Sequence, residues 1–531
     1  MENPVDGMKH AADELLTGWH SPTLIGSLLL AASAIYLYFL LFVPLATPIC
    51  IAEDGTIYLT EARRMIEGQV VYRDFFEFVT PGTDWVSFVL LKTFGPKVWL
   101  PNVVLLLVGL GLVYLTFASA SRLMSGGAAL LAGALFVVTP YGRNLDPTHH
   151  LYSATAVMGA LTILLEKRSF ARVAVAGGLC GVAVCFTQSR GAMAAVGLAL
   201  FLLWEGRREK QPLQTLLQKE AWLLAGFLTA VLPVIGWYVW RAGAARCYYC
   251  MVTYPLKYFP RDAMRNSWRV ILCQWPSVPP WRNLPRLLEA LFPFALIPWI
   301  YLLCFFRYWR ESWERSYEHS AGIMLVAVVG LFAFLAVAPS PTPHRVYWGS
   351  APALILLAWF LDSRSKLCRA LCKLLWAGTI LAALLGVSAR QFSRKGVIEM
   401  PQGPLAILPP GTYQEFLYLH EHTKPLQKTC QVYAPDKPPI YFFLDLRDPT
   451  DVSYMTRTGY TPPEQVKEAI AALEKDQIRY VVWNTLWLGD PKPVVDTASD
   501  NLGPLRQYVQ THYQVVKSYG DLWDIVWERR P

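Results

Sequence analysis

Repeated long apolar runs constrain the fold of this chain more than any other feature. They are about 16 to 22 residues long and are separated by short charged loops, and helices of that length cross a hydrocarbon core of roughly 30 Å. Hydrophobic residues make up 54% of the sequence and charged residues only 16%. We therefore predict a polytopic α-helical membrane protein. The predicted spans, about eleven in number, are 24–46, 98–121, 126–140, 150–165, 170–187, 191–204, 221–240, 287–306, 321–338, 346–361 and 370–389.

Arginine and lysine are distributed unevenly between the two sets of loops, which predicts an orientation. With a cytoplasmic N-terminus, most basic loop residues fall inside, as the positive-inside rule requires. Three segments then lie outside: 51–82, 241–286 and everything after the last span. No small-residue cleavage site follows the first span, so we expect it to remain as a signal anchor. The formal charge of +9 fits cytoplasmic cations and lipid phosphates rather than nucleic acid.

The sequence loses its long apolar runs after about residue 390, and shorter helical and strand patterns alternate there. This change predicts two domains, a transmembrane domain (1–389, with an outer loop and juxtamembrane helix in 47–97) and a soluble α/β domain (390–531). The predicted helices of the second domain are 413–422 and 463–475, and its predicted strands are 480–483, 515–519 and 523–527.

The outer loop 51–82 is unusually polar for a segment beside a membrane span. Asp54 is placed to cap a short helix that ends at Gly68. The apolar positions of this helix are Tyr58, Ala62 and Met65, and the polar positions that we expect to face outward are Glu61, Arg64 and Glu67. Glu53 and Asp54 stand at its N-terminal end. The pattern alone does not decide whether Asp54 is only a cap or a reactive carboxylate.

A second polar cluster, YGRNLDPTHH, joins the third and fourth predicted spans. Asp146 followed by Pro147 is a usual helix start, so a capping role competes with a functional one. The adjacent His149 and His150 favour a site that orients an acceptor or binds a divalent ion. A metal is the minority interpretation, with Asp54, Asp146 and His149 as candidate ligands, because no tight ligand spacing supports it.

Four cationic or imidazole side chains stand at the outer ends of different predicted spans. They are Arg143, Arg190, His344 and Arg345. Arginine near hydrocarbon is costly unless it is paired or functional, so together they predict a site for a lipid phosphate. Each alone is also explained as an interfacial anchor.

The long outer loop 241–286 carries a CxxC motif, Cys247 and Cys250. No βαβ pattern surrounds it, so a redox role is not indicated, and either a local disulfide or two unpaired thiols fits the sequence. The basic and aromatic residues of this loop suit a cover over a lipid-linked headgroup, or simply a solvated interface.

The run EDG, then YLTEARRMIEG, VYRDFF and TPG resembles the first outer loop of the GT-C superfamily of polytopic glycosyltransferases. It is most similar to the bacterial branch with protein mannosyltransferase-like and aminoarabinose transferase-like members. In that family an acidic pair opens the loop, a juxtamembrane helix follows, and a further pattern leads to the second span; the matching positions here are Gly68, Tyr72, Arg73, Asp74, Pro81 and Gly82. The resemblance implies a bacterial inner-membrane enzyme with a periplasmic C-terminal domain, and substrate contacts at Tyr72, Arg73 and Asp74.

One departure from the family pattern concerns the acidic pair, which reads Glu53 then Asp54 here rather than Asp then Glu. We favour Asp54 as the catalytic base, with Glu53 as its neighbour or substitute. The resemblance implies an inverting transfer of a sugar from a polyprenyl-phosphate donor to a hydroxyl of a lipid, glycan or protein. A lipid-linked saccharide flippase and a non-catalytic polyprenyl-phosphate-binding protein are the alternatives, although the spans carry few of the mid-span charges that a transport path needs.

Overall fold

The computed structural model describes residues 22–44, 46–51, 54–261, 295–311, 317–362, 365–408, 410–456, 459–484, 501–519 and 524–531. Glu53, most of the long outer loop and the first part of the predicted span 287–306 lie outside these ranges.

Helices form most of the first 392 residues. In chain order they are α1 (Pro22–Leu41), α2 (Gly55–Ile66), α3 (Gly82–Phe94), α4 (Leu100–Ala120), α5 (Gly126–Phe136), α6 (His149–Glu166), α7 (Phe170–Phe186), α8 (Gln188–Arg208), α9 (Leu213–Ala242), α10 (Ala244–Tyr248), α11 (Tyr254–Lys257), α12 (Ile297–Glu311), α13 (Tyr317–Leu335), α14 (Pro343–Trp348), α15 (Ala351–Leu361) and α16 (Lys366–Phe392). A π-helical turn, Val137–Tyr141, extends α5, and another, Tyr249–Thr253, joins α10 to α11. A short hairpin, β1 (Phe42–Val43) and β2 (Thr47–Pro48), precedes α2.

Four helices of the described chain are long and apolar enough to cross a membrane by themselves: α1, α4, α9 and α16. Shorter apolar helices, among them α7, α13 and α15, accompany them. The chain is thus a mostly helical protein with multiple apolar helices, as predicted. Each predicted span overlaps a helix, and the count of eleven crossings stays a prediction.

The predicted span 346–361 is divided in the structure. The short helix α14 ends at Trp348, and α15 begins at Ala351 with a proline in its first turn. His344 and Arg345 therefore lie on a separate short helix rather than on the end of a long span. This break lets their side chains turn toward the neighbouring helix ends.

Small residues bring two helices into direct backbone contact. A Cβ atom added to Gly177 of α7 would stand 2.0 Å from the carbonyl oxygen of Leu223, and one added to Gly226 of α9 would stand 1.9 Å from that of Ala174. Such close approach is typical of helix pairs packed through small residues in membranes. It anchors the helix pair that leads into α8 and into the long outer loop.

After α16 the described chain alternates strands and helices. A hairpin is formed by β3 (Gly396–Met400) and β4 (Gly403–Ile407), and a four-stranded sheet has the order β5-β6-β8-β7. Its strands are β5 (Val432–Tyr433), β6 (Tyr480–Asn484), β7 (Tyr513–Tyr519) and β8 (Asp524–Arg529), with β5 parallel to β6 and the other pairs antiparallel. The helices are α17 (Pro410–Thr423), α18 (Pro439–Phe443), α19 (Pro463–Lys475) and α20 (Gly503–His512).

This C-terminal segment shares its hydrophobic core with the outer loop. Leu59 and Ala62 of α2 pack in one cluster with Phe442 of α18. Val71 from the loop packs in a second cluster with Trp483 of β6. The outer loop is therefore packed against the C-terminal segment, and the boundary of a separate domain at residue 390 stays a prediction.

Candidate functional site

Asp54 stands exposed at the N-terminus of α2 and does not cap that helix with its side chain. Its backbone is already helical, with φ −54° and ψ −28°, and its carbonyl oxygen accepts from the Ile57 N–H at 3.0 Å. An N-cap residue normally has an extended backbone and turns its side chain back to the first turn. Asp54 therefore presents a carboxylate that the helix does not use for capping.

The cap comes from a different loop. The buried carboxylate of Asp146 accepts from the backbone N–H of Gly55 at 2.8 Å, across 91 residues of sequence. This contact needs a glycine, because a Cβ atom at Gly55 would stand 2.7 Å from the ring of Pro147. Asp146 thus fixes the start of α2 and with it the position of the Asp54 backbone.

Three imidazoles lie behind this junction, and a hydrogen bond joins two of them, His149 and His150. Nδ1 of His149 lies 2.7 Å from the hydroxyl of Tyr58, and its Nε2 lies 3.2 Å from Nε2 of His150. The ring of His150 is 5.7 Å from that of His344. The structure therefore brings the opening loop, the start of α6 and the short helix α14 together at one place.

His344 is held as a neutral ring. Its Nδ1 lies 3.3 Å from Oδ1 of Asn144, an acceptor, while its Nε2 accepts from the Trp348 indole at 3.3 Å. Burial, and then the nearby Arg345 and Arg190, lower the pKa of His344 to about 4. A neutral imidazole can donate one hydrogen bond, and it adds no further positive charge beside the two arginines.

Arg190 and Arg345 supply that positive charge. Arg190 is 1% exposed and donates to the carbonyl of His150 at 2.8 Å, to the hydroxyl of Ser153 at 3.1 Å and to the carbonyl of Arg345 at 3.1 Å. All three acceptors are uncharged, and the buried Nε of Arg190 has no hydrogen-bond partner among the described residues. Arg345 donates to Ser340. The cluster is well suited to hold an anion.

A group of three buried carboxyls lies beneath α2, which the sequence did not reveal. Glu61 lies near Glu77 and Asp84, and after burial the charges of these two carboxyls add to the rise of its pKa. Oε1 of Glu77 accepts from the Phe78 and Val79 N–H groups at 2.6 and 2.7 Å. Burial is the largest cause that raises the pKa of all three, to about 7 for Glu77 and about 8 for Asp84.

The three remaining loop residues from the resemblance, Tyr72, Arg73 and Asp74, lie in the turn that precedes Glu77. Tyr72 is fully buried, adopts a positive φ of 70° and donates from its hydroxyl to the Val79 carbonyl at 2.7 Å. Arg73 and Asp74 pair with each other at 2.7 Å at the protein surface. Arg143 is exposed and immediately precedes Asn144. Glu53 falls outside the described residues.

The candidate metal ligands have protein partners. The carboxylate of Asp146 is bound by the Gly55 N–H, and both ring nitrogens of His149 contact side chains. In the part of the chain that the structure describes, no group of three or more His, Cys, Asp or Glu side chains is arranged around a possible metal position. The possible divalent ion stays a prediction. Cys247 and Cys250 are both buried and carry free thiols.

Several of these groups could not be found from sequence spacing. Tyr58 reads as an apolar helix position, yet it reaches a histidine 91 residues away. Glu61 and Arg64 were expected to face outward and are buried, so that prediction is wrong. The helix faces that carry them are covered by α3 and by the C-terminal segment. The spacing of apolar residues along α2 cannot show that other segments pack there.

Comparison with solved structures shows the fold. ArnT from Cupriavidus metallidurans bound to undecaprenyl phosphate aligns with a TM-score of 0.56 and 13% identity, over 94% of this chain and 97% of that one. Its apo form gives the same TM-score at 14% identity, over 97% and 98%. The oligosaccharyltransferase AglB from Archaeoglobus fulgidus, in complex with an inhibitory peptide and a dolichol-phosphate, aligns at 0.53 and 12% identity, over 95% and 74%. No family model and no curated protein matches the sequence.

The fold is thus similar to those of ArnT, solved with bound undecaprenyl phosphate, and of the oligosaccharyltransferase AglB, solved with a dolichol-phosphate. The resemblance predicted from the outer loop is confirmed at this level. Because identity is 14% or lower, the comparisons carry the fold alone, and activity is a separate question.

Proposed function

We propose that the protein is an inverting glycosyltransferase that moves a sugar from a polyprenyl-phosphate donor to an acceptor hydroxyl on the outer face of a bacterial inner membrane. The proposal rests on two features that meet where the loop of Asp146 contacts the start of α2. Asp54 offers an exposed carboxylate that is not used as a cap, and the loop that caps its helix also leads into the cationic cluster around Arg190. A base and an anion site held together in this way suit transfer from a lipid phosphate.

The mechanism needs one displacement. The Asp54 carboxylate takes the proton of the acceptor hydroxyl, the hydroxyl oxygen bonds to the anomeric carbon, and the bond from that carbon to the phosphate oxygen breaks. Attack opposite the leaving group inverts the anomeric configuration. The phosphate departs with the electron pair and is stabilised by Arg345, beside which His344 stands as a neutral ring, while buried Arg190 holds the backbone of His150 and Arg345 in place.

The other predicted residues have supporting roles in this proposal. Asp146 fixes the helix start, and His149 and His150 connect Tyr58 to the cation cluster. Tyr72 forms the turn that leads to Glu77, and the surface pair of Arg73 and Asp74 closes the same turn.

Transfer from a panel of polyprenyl-phosphate sugars, measured with purified protein in lipid, tests the proposal. We expect Asp54→Asn to lower kcat by about 10²- to 10⁴-fold, because the general base is lost, while binding of the bare lipid phosphate is retained. Glu53→Gln separates the two acids of the pair. Glu67→Gln, at the opposite end of the same helix, is the matched control and should leave turnover within about twofold of wild type.

Two results would contradict the proposal. One is full turnover by Asp54→Asn, which would assign the base elsewhere. The other is the absence of turnover with every donor while the lipid phosphate still binds, which would favour a binding protein or a flippase.

A further inference from the structure

Four aromatic rings from three distant segments meet beside the cation cluster. Phe78 comes from the opening loop, Tyr254 and Phe259 follow α10, and Tyr460 comes from the C-terminal segment. The centroid of Phe78 lies 5.4 Å from Tyr254, 5.6 Å from Phe259 and 6.1 Å from Tyr460. Rings at these separations form one packed group.

The group has a buried back and an accessible front. Tyr254 is fully buried and donates from its hydroxyl to the carbonyl of Tyr460 at 2.9 Å, and Tyr460 is itself buried. Phe78 and Phe259 are half-buried. The two tyrosines therefore fix the positions of two phenylalanine rings that keep part of their apolar surface open.

The two phenylalanines lie next to the groups of the proposed reaction. The guanidinium of Arg345 is 4.8 Å from the centroid of Phe259. The carbonyl of Phe78 accepts from the side chain of Gln188 at 2.8 Å, two residues before Arg190. Burial is the largest cause that raises the pKa of Tyr460, the charge of Glu77 comes next, and the carboxylate of Asp54 makes a smaller contribution.

We propose that Phe78 and Phe259 form the platform on which the sugar ring of the donor stacks. The inference rests on the proposed function. A phosphate held at Arg345 places the sugar that is bonded to it within one ring diameter of Phe259. The C–H face of a pyranose is apolar, and covering the two phenyl surfaces with it removes both from water.

Binding measured with two lipids tests the platform. The probes are undecaprenyl phosphate and undecaprenyl-phosphate hexose, each titrated into the full-length protein in nanodiscs. We expect wild type to bind the sugar-bearing lipid more tightly, and Phe78→Ala or Phe259→Ala to lose about tenfold in affinity for that lipid alone. Phe78→Tyr, which keeps the ring, should restore the difference, and Phe94→Ala, an exposed ring at the far end of α3, should not alter it.

Equal weakening of both lipids, or no change in either, would overturn the platform. These outcomes do not depend on turnover, so a failure of the proposed enzyme activity would be distinguished from a failure of the sugar subsite.

Discussion

At the scale of single residues, the most informative feature is that two aspartates, Asp54 and Asp146, have different roles. Both Asp54 and Asp146 precede helices and both read as capping residues in the sequence. In the structure Asp146 caps the helix that begins beside Asp54, and Asp54 makes no side-chain cap. A capping carboxylate is stabilised by the helix N–H groups and is poorly suited to accept a proton. Because Asp146 caps the helix instead of Asp54, the Asp54 carboxylate is the better candidate for the base.

Substitution of Asp146 tests this division. Asp146→Ala leaves the Gly55 N–H without its acceptor, which we expect to cost about 0.5–2 kcal/mol of stability and to lower kcat at least tenfold, because the backbone of Asp54 is no longer fixed. Asp146→Asn keeps an acceptor oxygen and should retain most of the activity. The measurement is thermal unfolding together with donor turnover, and equal activity of the Ala and Asn variants would contradict the assigned role.

At the scale of elements, α2 and α3 pack against each other around carboxyls rather than around apolar side chains alone. Glu61 comes from α2, Asp84 from α3, and Glu77 from the loop between them. All three are buried, and burial disfavours their charged forms. The contact between the two helices therefore depends on protons that the folded protein retains.

This arrangement predicts a pH-dependent stability. The folded pKa values of Glu77 and Asp84, about 7 and about 8, lie above the usual carboxyl values of 4.5 and 3.8. From about pH 4.5 to 8 the native state thus binds protons that the unfolded state has released, so the free energy of unfolding falls as pH rises. We expect the Tm in detergent to be several degrees lower at pH 9 than at pH 6.

Neutral isosteres identify the groups responsible. Asp84→Asn and Glu77→Gln should each flatten the dependence of Tm on pH, because the group that releases a proton is removed. Glu399→Gln, which changes an exposed carboxyl of β3, is the control and should leave the slope as in wild type. A slope unchanged in both buried variants would show that other groups carry the effect.

At the scale of the whole molecule, the C-terminal segment holds the helix that carries the candidate base. Arg63 binds Asp445 at 2.6 Å and donates to the carbonyl of Leu446 at 3.1 Å. The next residue, Arg64, is buried, binds Asp448 at 3.3 Å and donates to the carbonyl of Thr450. Two consecutive arginines of α2 thus join the outer loop to the C-terminal segment.

A double-mutant cycle measures this connection. We expect Arg64→Ala to destabilise the protein by about 3–5 kcal/mol, because Asp448 is left as a buried carboxylate without its cation. Adding Asp448→Ala should recover part of the loss, with a coupling energy of about 1–3 kcal/mol in thermal unfolding. Arg122→Ala, which breaks a more exposed pair with Glu166, is the control. Strict additivity of Arg64→Ala and Asp448→Ala would contradict the proposed link.

Local patterns in the sequence determined the features that depend on near neighbours. The apolar runs predicted the helices, and the spacing after residue 390 predicted α19 at Pro463–Lys475, which is confirmed at both ends. The strands at Tyr480 and within 513–519 were predicted from their alternation and are also confirmed. Helix and strand periods are set by the backbone over a few residues, so a single segment contains the information.

Only the tertiary structure decided which polar residues meet. The contacts between Asp146 and Gly55, between Tyr58 and His149, and between Arg64 and Asp448 join positions far apart in sequence. The same is true of the four aromatic rings around Phe78. The spacing of residues describes one helix face at a time and does not show what covers that face. The sequence therefore determined that α2 exists and which side chains it carries. Packing decided that Glu61 is buried and that Asp54 is left exposed.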